Sequence, residues 1–156
     1  MNGKIRNILE QLMKKQGAIS ILRYRDAGDS TFELTTNLSD ISHRTWLKYE
    51  FTGDMEMFRV EIRHRFGEIN KNVDTLTAAR QLFTMLHKNI GSYGTSTAYI
   101  GIELEGDKSY AALNSFHHFL TKWSDEDIAQ ALHLHFFDLA TSMLMDDANL
   151  TILIRY

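Results

Sequence analysis

Residues 46–66 read WLKYEFTGDMEMFRVEIRHRF, and this stretch decides the fold class. Apolar and charged residues alternate on both sides of Gly53-Asp54, a pair that favours a two-residue hairpin turn. After the turn, the apolar positions are Phe58, Val60, Ile62, His64 and Phe66. A period of two places one set of side chains in a core and the other in solvent. The stretch therefore predicts an antiparallel sheet with one open face, and His64 is expected to be a packed, hydrogen-bonded core histidine.

Other strand-like segments flank this hairpin. Two of them, at residues 18–25 and 31–36, are joined by turn-forming residues, so four strand-like segments precede the second helix. Residues 37–45 are polar and predict a loop, and residues 99–105 alternate again and predict a strand. The segment 109–123 fits either a returning strand or a helix, and both alternatives stay open at this point.

Three helices are predicted around the strands. The first spans residues 4–16, and the second begins at Asp74 or Thr75 as its cap. The expected buried stripe of the second helix consists of Leu76, Ala79, Leu82, Phe83 and Leu86. The third begins at the capping box Ser124–Asp127 and ends near Leu144. Its expected buried stripe consists of Ile128, Leu132, Phe136, Leu139 and Met143.

These elements predict one α+β domain of 156 residues, a length that fits a single domain. The expected architecture is an antiparallel sheet with an N-terminal helix, a middle helix and a long C-terminal helix packed on it, in the order α-β-β-β-(β)-α-β-β-α. The core is expected over residues 4–145. The tail, residues 146–156, contains alternating apolar residues in 149–156 and could add an edge strand.

Composition excludes several classes of protein. The chain has no Cys, which excludes disulfide scaffolds, Cys-ligated zinc, iron–sulfur clusters and thiol catalysis. It has 17 basic and 20 acidic residues, a net charge of −3, so a nucleic-acid partner is not expected. No apolar run is long enough for a signal peptide or a membrane span, which predicts a cytoplasmic protein without a membrane partner.

The seven histidines do not predict a metal site. His117 and His118 are adjacent, so their rings diverge on any regular backbone. His133 and His135 are about 200° apart on a helix and cannot share one ion. His135 and Asp138 could face each other, but two ligands alone make a poor metal site. No cofactor is predicted.

No motif for nucleophilic catalysis is present. The chain lacks a Gly-x-Ser-x-Gly elbow, and Ser109, Ser115 and His117 are close only in sequence. No catalytic residue is predicted, although an enzyme need not carry a short signature, so enzymatic activity stays open.

One surface could bind an anion or a single-stranded nucleic acid. The arginines that share a face of the strand after the turn are Arg59, Arg63 and Arg65. Arg23 and Arg25 are expected on a neighbouring strand, with Trp46 and Tyr49 nearby as stacking platforms. The alternative is a solvated sheet face on which Glu50 and Glu61 pair with the arginines across strands. The composition favours this alternative, because stacking platforms normally accompany a basic domain.

The order of elements resembles that of class I type III secretion chaperones and the related YbjN-like proteins. The resemblance spans residues 4–145 and has no diagnostic motif. It rests on Ile5–Gln16, on Met57–Phe66 leading into Leu76–Ile90, on Tyr99–Leu104 before a turn, and on Ser124–Ile128 opening the last helix. It implies a small acidic bacterial homodimer in the cytoplasm that holds an extended segment of a client protein.

Two hypotheses for function follow. The first is a non-enzymatic, chaperone-like protein-binding module, because an exposed sheet edge or apolar groove can take up a peptide strand. The alternative is a small-ligand or anion-binding domain, which could be an enzyme, that uses the Arg59, Arg63 and Arg65 face or a pocket under Trp123. The first hypothesis is preferred, because the order of elements and the acidic net charge match what the resemblance implies, and the sequence contains no catalytic motif.

Overall fold

Seven antiparallel strands form one sheet in the part of the chain that the computed structural model describes, which is residues 2–15, 17, 19–38, 41–93, 98–144 and 154–155. The strands are β1 (Ser20–Gly28), β2 (Thr31–Leu38), β3 (Ile41–Phe51), β4 (Met57–Ile69), β5 (Ala98–Glu105), β6 (Lys108–Leu120) and β7 (Ile154–Arg155). Their spatial order is β1-β2-β3-β4-β6-β5, and β7 pairs with the end of β4 at Glu68 and Ile69. Four strands therefore precede the second helix, as predicted. The rest of the predicted tail strand lies outside the described residues.

Helices cover one face of this sheet. They are α1 (Asn2–Met13), α2 (Thr75–Tyr93), α3 (Asp125–Leu132), a π-helical turn (His133–Phe137) and α4 (Asp138–Leu144). The first packs on α3 and β1, while α2 packs on β5 and α4. The hydrophobic core fills the space between the helices and the sheet. This architecture confirms the predicted α+β fold class.

The loop predicted at residues 37–45 is wrong. β2 continues to Leu38 and β3 begins at Ile41, so polar residues form most of this hairpin. Such residues are tolerated in the sheet because buried hydroxyl groups pair with each other. The Oγ1 atoms of Thr36 and Thr45 lie 3.2 Å apart.

The turn between β3 and β4 is longer than the two residues expected. It comprises residues 52–56, with Met55 in the left-handed region at φ 63°. The carboxylate of Asp54 accepts hydrogen bonds from the Thr52 hydroxyl at 2.6 Å and from the Glu56 backbone N–H at 3.1 Å. These side-chain bonds stabilise the wider turn.

The open alternative at 109–123 is resolved in favour of a strand. β6 pairs with β4 on one side and with β5 on the other. The large apolar residues of this segment also have helical spacing. The segment nevertheless forms a strand, because a strand between β4 and β5 makes backbone hydrogen bonds on both sides.

The buried stripe predicted for α2 is partly wrong. Leu82 and Leu86 are buried as expected, but Leu76 and Phe83 each expose 57% of their surface. The residues of α2 that enter the core are Ala78, Leu82, Met85 and Leu86. The helix is therefore rotated so that its small residue faces the sheet and two large apolar residues face outward. Its cap is Asp74, whose carboxylate accepts a hydrogen bond from the Thr77 N–H at 3.1 Å.

The C-terminal helical segment agrees with the prediction. The Ser124 hydroxyl accepts a hydrogen bond from the Asp127 N–H at 3.1 Å, and α4 ends at Leu144. Every residue of the expected stripe is buried: Ile128, Leu132, Phe136, Leu139 and Met143. The π-helical turn inserts one extra residue and buries Phe137 as well as Phe136.

Candidate functional site

The arginines predicted as a binding surface all project from the sheet face that carries no helix, called the open face below. They are Arg59, Arg63 and Arg65 of β4. Trp46 of β3 pairs with Arg63 and lies on the same face. The neighbouring positions predicted for Arg23 and Arg25 are wrong, because β2 and β3 separate β1 from β4. Tyr49 is not on this face; its ring stacks on Phe32 in the core.

Each of the three arginines has a carboxylate partner. Arg59 Nη2 lies 3.1 Å from Glu50 Oε2, the partner expected from the sequence. Arg63 Nε lies 3.1 Å from Glu103 Oε1. Arg65 lies 2.8 Å from the other oxygen of Glu103, and 2.9 Å from Glu105. The positive charges of the three arginines are therefore largely neutralised by carboxylates of the sheet.

The partners on β5 could not be found from sequence spacing, because β6 lies between β4 and β5. Arg65 is opposite Ala112 of β6, which in turn is opposite Gly101 of β5. Two small residues in this row leave room for the arginine side chain to cross β6. The arginines thus reach the carboxylates of an edge strand, and they tie β5 to the centre of the sheet.

Aromatic rings hold the arginines in place. The guanidinium carbon of Arg63 lies 4.3 Å from the centroid of Trp46, and that of Arg65 lies 4.3 Å from the centroid of Tyr110. Burial acts to lower the pKa of Arg65, but its hydrogen bonds to Glu103 and Glu105 outweigh burial and raise that pKa above its ordinary value. Arg65 is therefore a fixed cation in a structural ion-pair network.

A shallow basin of about 430 Å³ lies beside this network on the open face. Its lining includes the cations of Lys48 and Arg63, the rings of Trp46 and Tyr99, and also the carboxylates of Glu61 and Glu103. The Nη atoms of Arg63 and the ammonium of Lys48 have no partner among the described residues. Two oriented cations beside aromatic rings can bind a carboxylate or a phosphate.

The predicted pocket under Trp123 stays a prediction; a depression of about 480 Å³ is lined by the residues just before it in the chain, Leu120, Thr121 and Lys122, together with Met55 and Glu56. Trp123 is 46% exposed, and its ring meets Phe119 edge-on with centroids 6.3 Å apart. Its backbone carbonyl accepts a hydrogen bond from Lys4 at 2.9 Å. The residue therefore contributes to the packing of α1 near the start of α3.

The helix-covered face holds a chain of buried polar side chains. The hydroxyl of Thr45 lies 3.2 Å from that of Thr36 and 2.7 Å from Nδ1 of His64. His64 is fully buried, and its Nε2 atom has no hydrogen-bond partner among the described residues. Burial lowers the pKa of His64 to about 3, and the ring of His43, 5.3 Å away, acts in the same direction. His64 is therefore a neutral core histidine, as predicted.

A serine and a histidine also meet beneath the helices. Ser115 Oγ lies 2.8 Å from His117 Nε2, and the two residues are 0% and 9% exposed. Burial, followed by the nearby His135 and His118, lowers the pKa of His117 to about 4. Ser109 lies at the other end of β6, roughly 20 Å away along the strand. Because Ser115 is enclosed, the pair presents no nucleophile to solvent.

The histidines do not converge on an ion. His117 is buried while His118 is exposed on the open face, so their rings diverge as expected. The predicted pair of His135 and Asp138 is wrong, because the π-helical turn instead places His133 Nε2 3.4 Å from Asp138. Within the described ranges, no three His, Asp or Glu side chains are grouped as metal ligands.

The two edge strands of the described sheet differ in regularity. The pairing of β1 with β2 shifts twice, between Ile21 and Arg23 and between Asp26 and Gly28. The pairing of β5 with β6 is continuous from Ala98 to Glu105. No described strand pairs with the outer side of β5.

Comparison with known proteins identifies the fold. No protein-family model matches the chain, and no curated protein sequence does so either. Among solved structures, the crystal structure of YbjN from E. coli, a proposed transcription regulator, is similar over 99% of this chain and 96% of its own. The TM-score is 0.56 at 11% sequence identity. The chain has a YbjN-like fold. Among its described helices, none is both long and apolar enough to span a membrane.

Proposed function

We propose that this YbjN-like chain is a non-enzymatic protein-binding module that holds an extended segment of a client protein along β5. The supporting observation is that β5 is an uninterrupted edge strand that exposes Tyr99 and Leu104 as well as the charged Glu105. Leu104 is 81% exposed and Tyr99 is 45% exposed. An added strand pairs its backbone with such an edge, while apolar side chains on either face of the sheet select the segment.

The opposite edge strand, β1, differs from β5, and this difference supports β5 as the binding edge. Irregular pairing and exposed charges are the features by which proteins protect an edge strand from further pairing. β1 has both, since its pairing is shifted twice and Arg23 and Arg25 are exposed. β5 has no such shift; Glu103 is largely buried against the arginines of β4, and Glu105 pairs with Arg65 but stays 62% exposed.

A matched pair of substitutions tests this proposal. Leu104→Lys places a charge on the β5 edge, and Leu22→Lys makes the same change on β1, where Leu22 is 53% exposed. The tagged protein and both variants are used to capture partners from the lysate of the source cells, and the captured proteins are identified by mass spectrometry. Leu104→Lys should lose a partner that the parent and Leu22→Lys retain.

Hydrogen exchange of the backbone amides then shows which strand of the protein binds the partner. Overlapping peptides of the captured partner are added to the protein, and the binding peptide should slow exchange in residues 98–105 more than in residues 20–28. Equal capture by both lysine variants, or protection confined to β1, contradicts the proposal.

A second candidate function is binding of a small carboxylate or phosphate in the basin. It is favoured by the Nη atoms of Arg63, which have no hydrogen-bond partner in the part of the chain that the structure describes and which Trp46 and Glu103 hold in position. Inorganic phosphate, citrate and acetate are the probes, and a ligand that binds only the folded state raises the melting temperature. The increase should vanish in Arg63→Gln and persist in Arg59→Gln. Equal increases in both variants would show that the basin is not the site.

The remaining parts of the hypothesis stay predictions. They are the homodimer, the cytoplasmic location and the identity of the client. A role in transcription, as proposed for YbjN, would fit contact with a protein better than contact with DNA. The chain is acidic overall, and Arg59, Arg63 and Arg65 are paired with carboxylates.

A further inference from the structure

The outward side of α2 carries large side chains that the core does not use. Leu76 and Phe83 each expose 57% of their surface, and the exposed Arg80 lies between them. His87 lies one turn beyond Phe83, and their rings meet edge-on with centroids 4.4 Å apart. Because residues three and four apart share a helix face, these four side chains form one stripe. It is called the α2 outer stripe below.

The charge of this helix is one-sided. Its only fixed charges are Arg80 and Lys88, because residues 75–93 contain no Asp or Glu, whereas the whole chain has a net charge of −3. Both side chains are exposed, and neither has a carboxylate partner among the described residues. By contrast, Arg25, Arg59, Arg63 and Arg65 of the sheet each lie within 3.1 Å of a carboxylate oxygen. The α2 outer stripe is therefore a site where negative charge is lacking.

The surface beside the stripe is concave. A depression of about 250 Å³ is lined by Arg80, Gln81, Thr84 and Met85. Met85 forms its apolar floor, and a flexible thioether adapts to different apolar side chains. Exposed apolar residues, an unpaired cation and an adjoining depression are the elements by which a helix receives an amphipathic partner.

We infer that the α2 outer stripe binds an acidic amphipathic helix of another protein. Its apolar residues would cover Leu76 and Phe83, and its carboxylates would meet Arg80 and Lys88. A second copy of α2 is disfavoured as the occupant, because packing two such stripes together brings like charges into proximity. This surface consists of α2 residues and uses none of the residues of β5, so the inference goes beyond the proposed function.

A designed peptide tests the inference. The probe is a fluorescein-labelled helix of about 18 residues, five turns, with Leu along one stripe and Glu on both sides of it. The matched probe has Lys in place of every Glu. Fluorescence anisotropy with the full chain should show binding of the Glu peptide that weakens as salt is added, and no binding of the Lys peptide.

Matched variants locate the binding surface. Arg80→Glu and Phe83→Ala should each weaken binding of the Glu peptide at least tenfold, about 1.4 kcal/mol. Lys122→Glu makes the same charge change at an exposed residue of the β6–α3 connection and should leave the affinity unchanged. Circular dichroism melting curves of all variants confirm that they fold.

Three outcomes would overturn the inference. The first is equal binding of the Glu and Lys peptides, and the second is equal weakening by Arg80→Glu and Lys122→Glu. The third is a particle of twice 18.0 kDa in light scattering that Phe83→Ala converts to a monomer, which would assign the stripe to a second copy. Leu104→Lys should still bind the Glu peptide, so failure of the β5 proposal and failure of this inference give different results.

Discussion

The two faces of β4 carry different side chains in opposite environments. On the helix-covered face, Phe58, Val60, Ile62, His64 and Phe66 are each at most 1% exposed. On the open face of the same strand, the alternate positions hold arginines that pair with carboxylates at the water interface. A polar group on the first face must stay neutral and hydrogen-bonded, whereas one on the second keeps its charge.

This difference separates stability from binding. Removing buried atoms or charging a buried ring costs several kcal/mol, because the interior neither refills nor hydrates readily. Exposed ion pairs contribute roughly 0–1 kcal/mol each. The helix-covered face therefore sets the stability of the fold, and the open face, the β5 edge and the α2 outer stripe can vary with little effect on folding. Four measurements test whether the two faces differ in this way.

The largest expected effect is acid destabilisation by the buried histidines. The pKa of His64 is about 3 and that of His117 about 4 in the folded state, against about 6.5 when unfolded. The unfolded state therefore binds more protons below pH 6.5, so the free energy of unfolding is greatest above pH 7 and falls as the pH drops. Each histidine contributes a slope of up to ~1.4 kcal/mol per pH unit. Urea unfolding between pH 7.5 and 5 measures the combined slope.

Two substitutions, one of a buried and one of an exposed histidine, test whether burial causes this pH dependence. His64→Phe should lower the slope between pH 6.5 and 5 by up to ~1.4 kcal/mol per pH unit, because one buried histidine no longer titrates, while His43 and His117, whose pKa values burial also lowers, remain. His87→Gln removes an exposed histidine of α2 and should leave most of the slope in place. If His87→Gln flattens the curve as much as His64→Phe does, burial is not the cause.

The second effect compares adjacent residues on the two faces of β4. Ile62 is 0% exposed, and Ile62→Ala should lower the free energy of unfolding by ~2–5 kcal/mol through lost burial and a residual cavity. Arg63→Ala removes an ion pair and the contact with Trp46, which should cost about 1 kcal/mol. Urea unfolding at pH 7.5 gives both values. Equal losses would show that the open face carries as much stability as the core.

A smaller effect is expected at the carboxylate that joins two arginines. The side chain of Glu103 is 18% exposed and pairs with both Arg63 and Arg65. Glu103→Gln should cost ~1–2 kcal/mol, because hydrogen bonds to charged groups are stronger than neutral ones. Glu105, 62% exposed, pairs with Arg65 alone, and Glu105→Gln should cost ~1 kcal/mol or less. A larger loss at Glu105 would reverse the order that burial predicts.

Whether a structural feature could be predicted from the sequence depends on how far apart in the chain the contacting residues lie. The alternation over Phe58–Phe66 is local, and it predicted both the open face and the core position of His64. The pairing of Glu103 with Arg63 and Arg65 is not local, because it requires the order β4-β6-β5 and the small residues that let arginines cross β6. No spacing within one strand contains that information.

Local patterns also failed where tertiary contacts override composition. Residues 37–45 are polar, yet the ones that the structure describes belong to strands, because Thr36, Thr45 and His64 hydrogen-bond to one another in the core. In α2, the large apolar residues Leu76 and Phe83 indicated the buried stripe, but the sheet accepts the smaller Ala78 instead. Apolar periodicity identified the helix and could not decide which apolar side chains remain outside.

The smallest expected effect is at the outer end of the arginine row. The side chains of Arg59 and Glu50 are 45% and 71% exposed, and the guanidinium of Arg59 lies 5.5 Å from the ring centroid of Phe116. Arg59→Gln should change the free energy of unfolding by no more than ~0.5 kcal/mol, because solvent screens the pair. A double-mutant cycle with Glu50→Gln, measured at low salt and in 1 M NaCl, isolates the coupling of the two residues. The coupling should fall toward zero in salt, while that between Arg65 and Glu103 persists because both side chains are only 18% exposed. A coupling at Arg59 that equals the one at Arg65 would mean that position on the open face, rather than burial, sets the strength of these pairs.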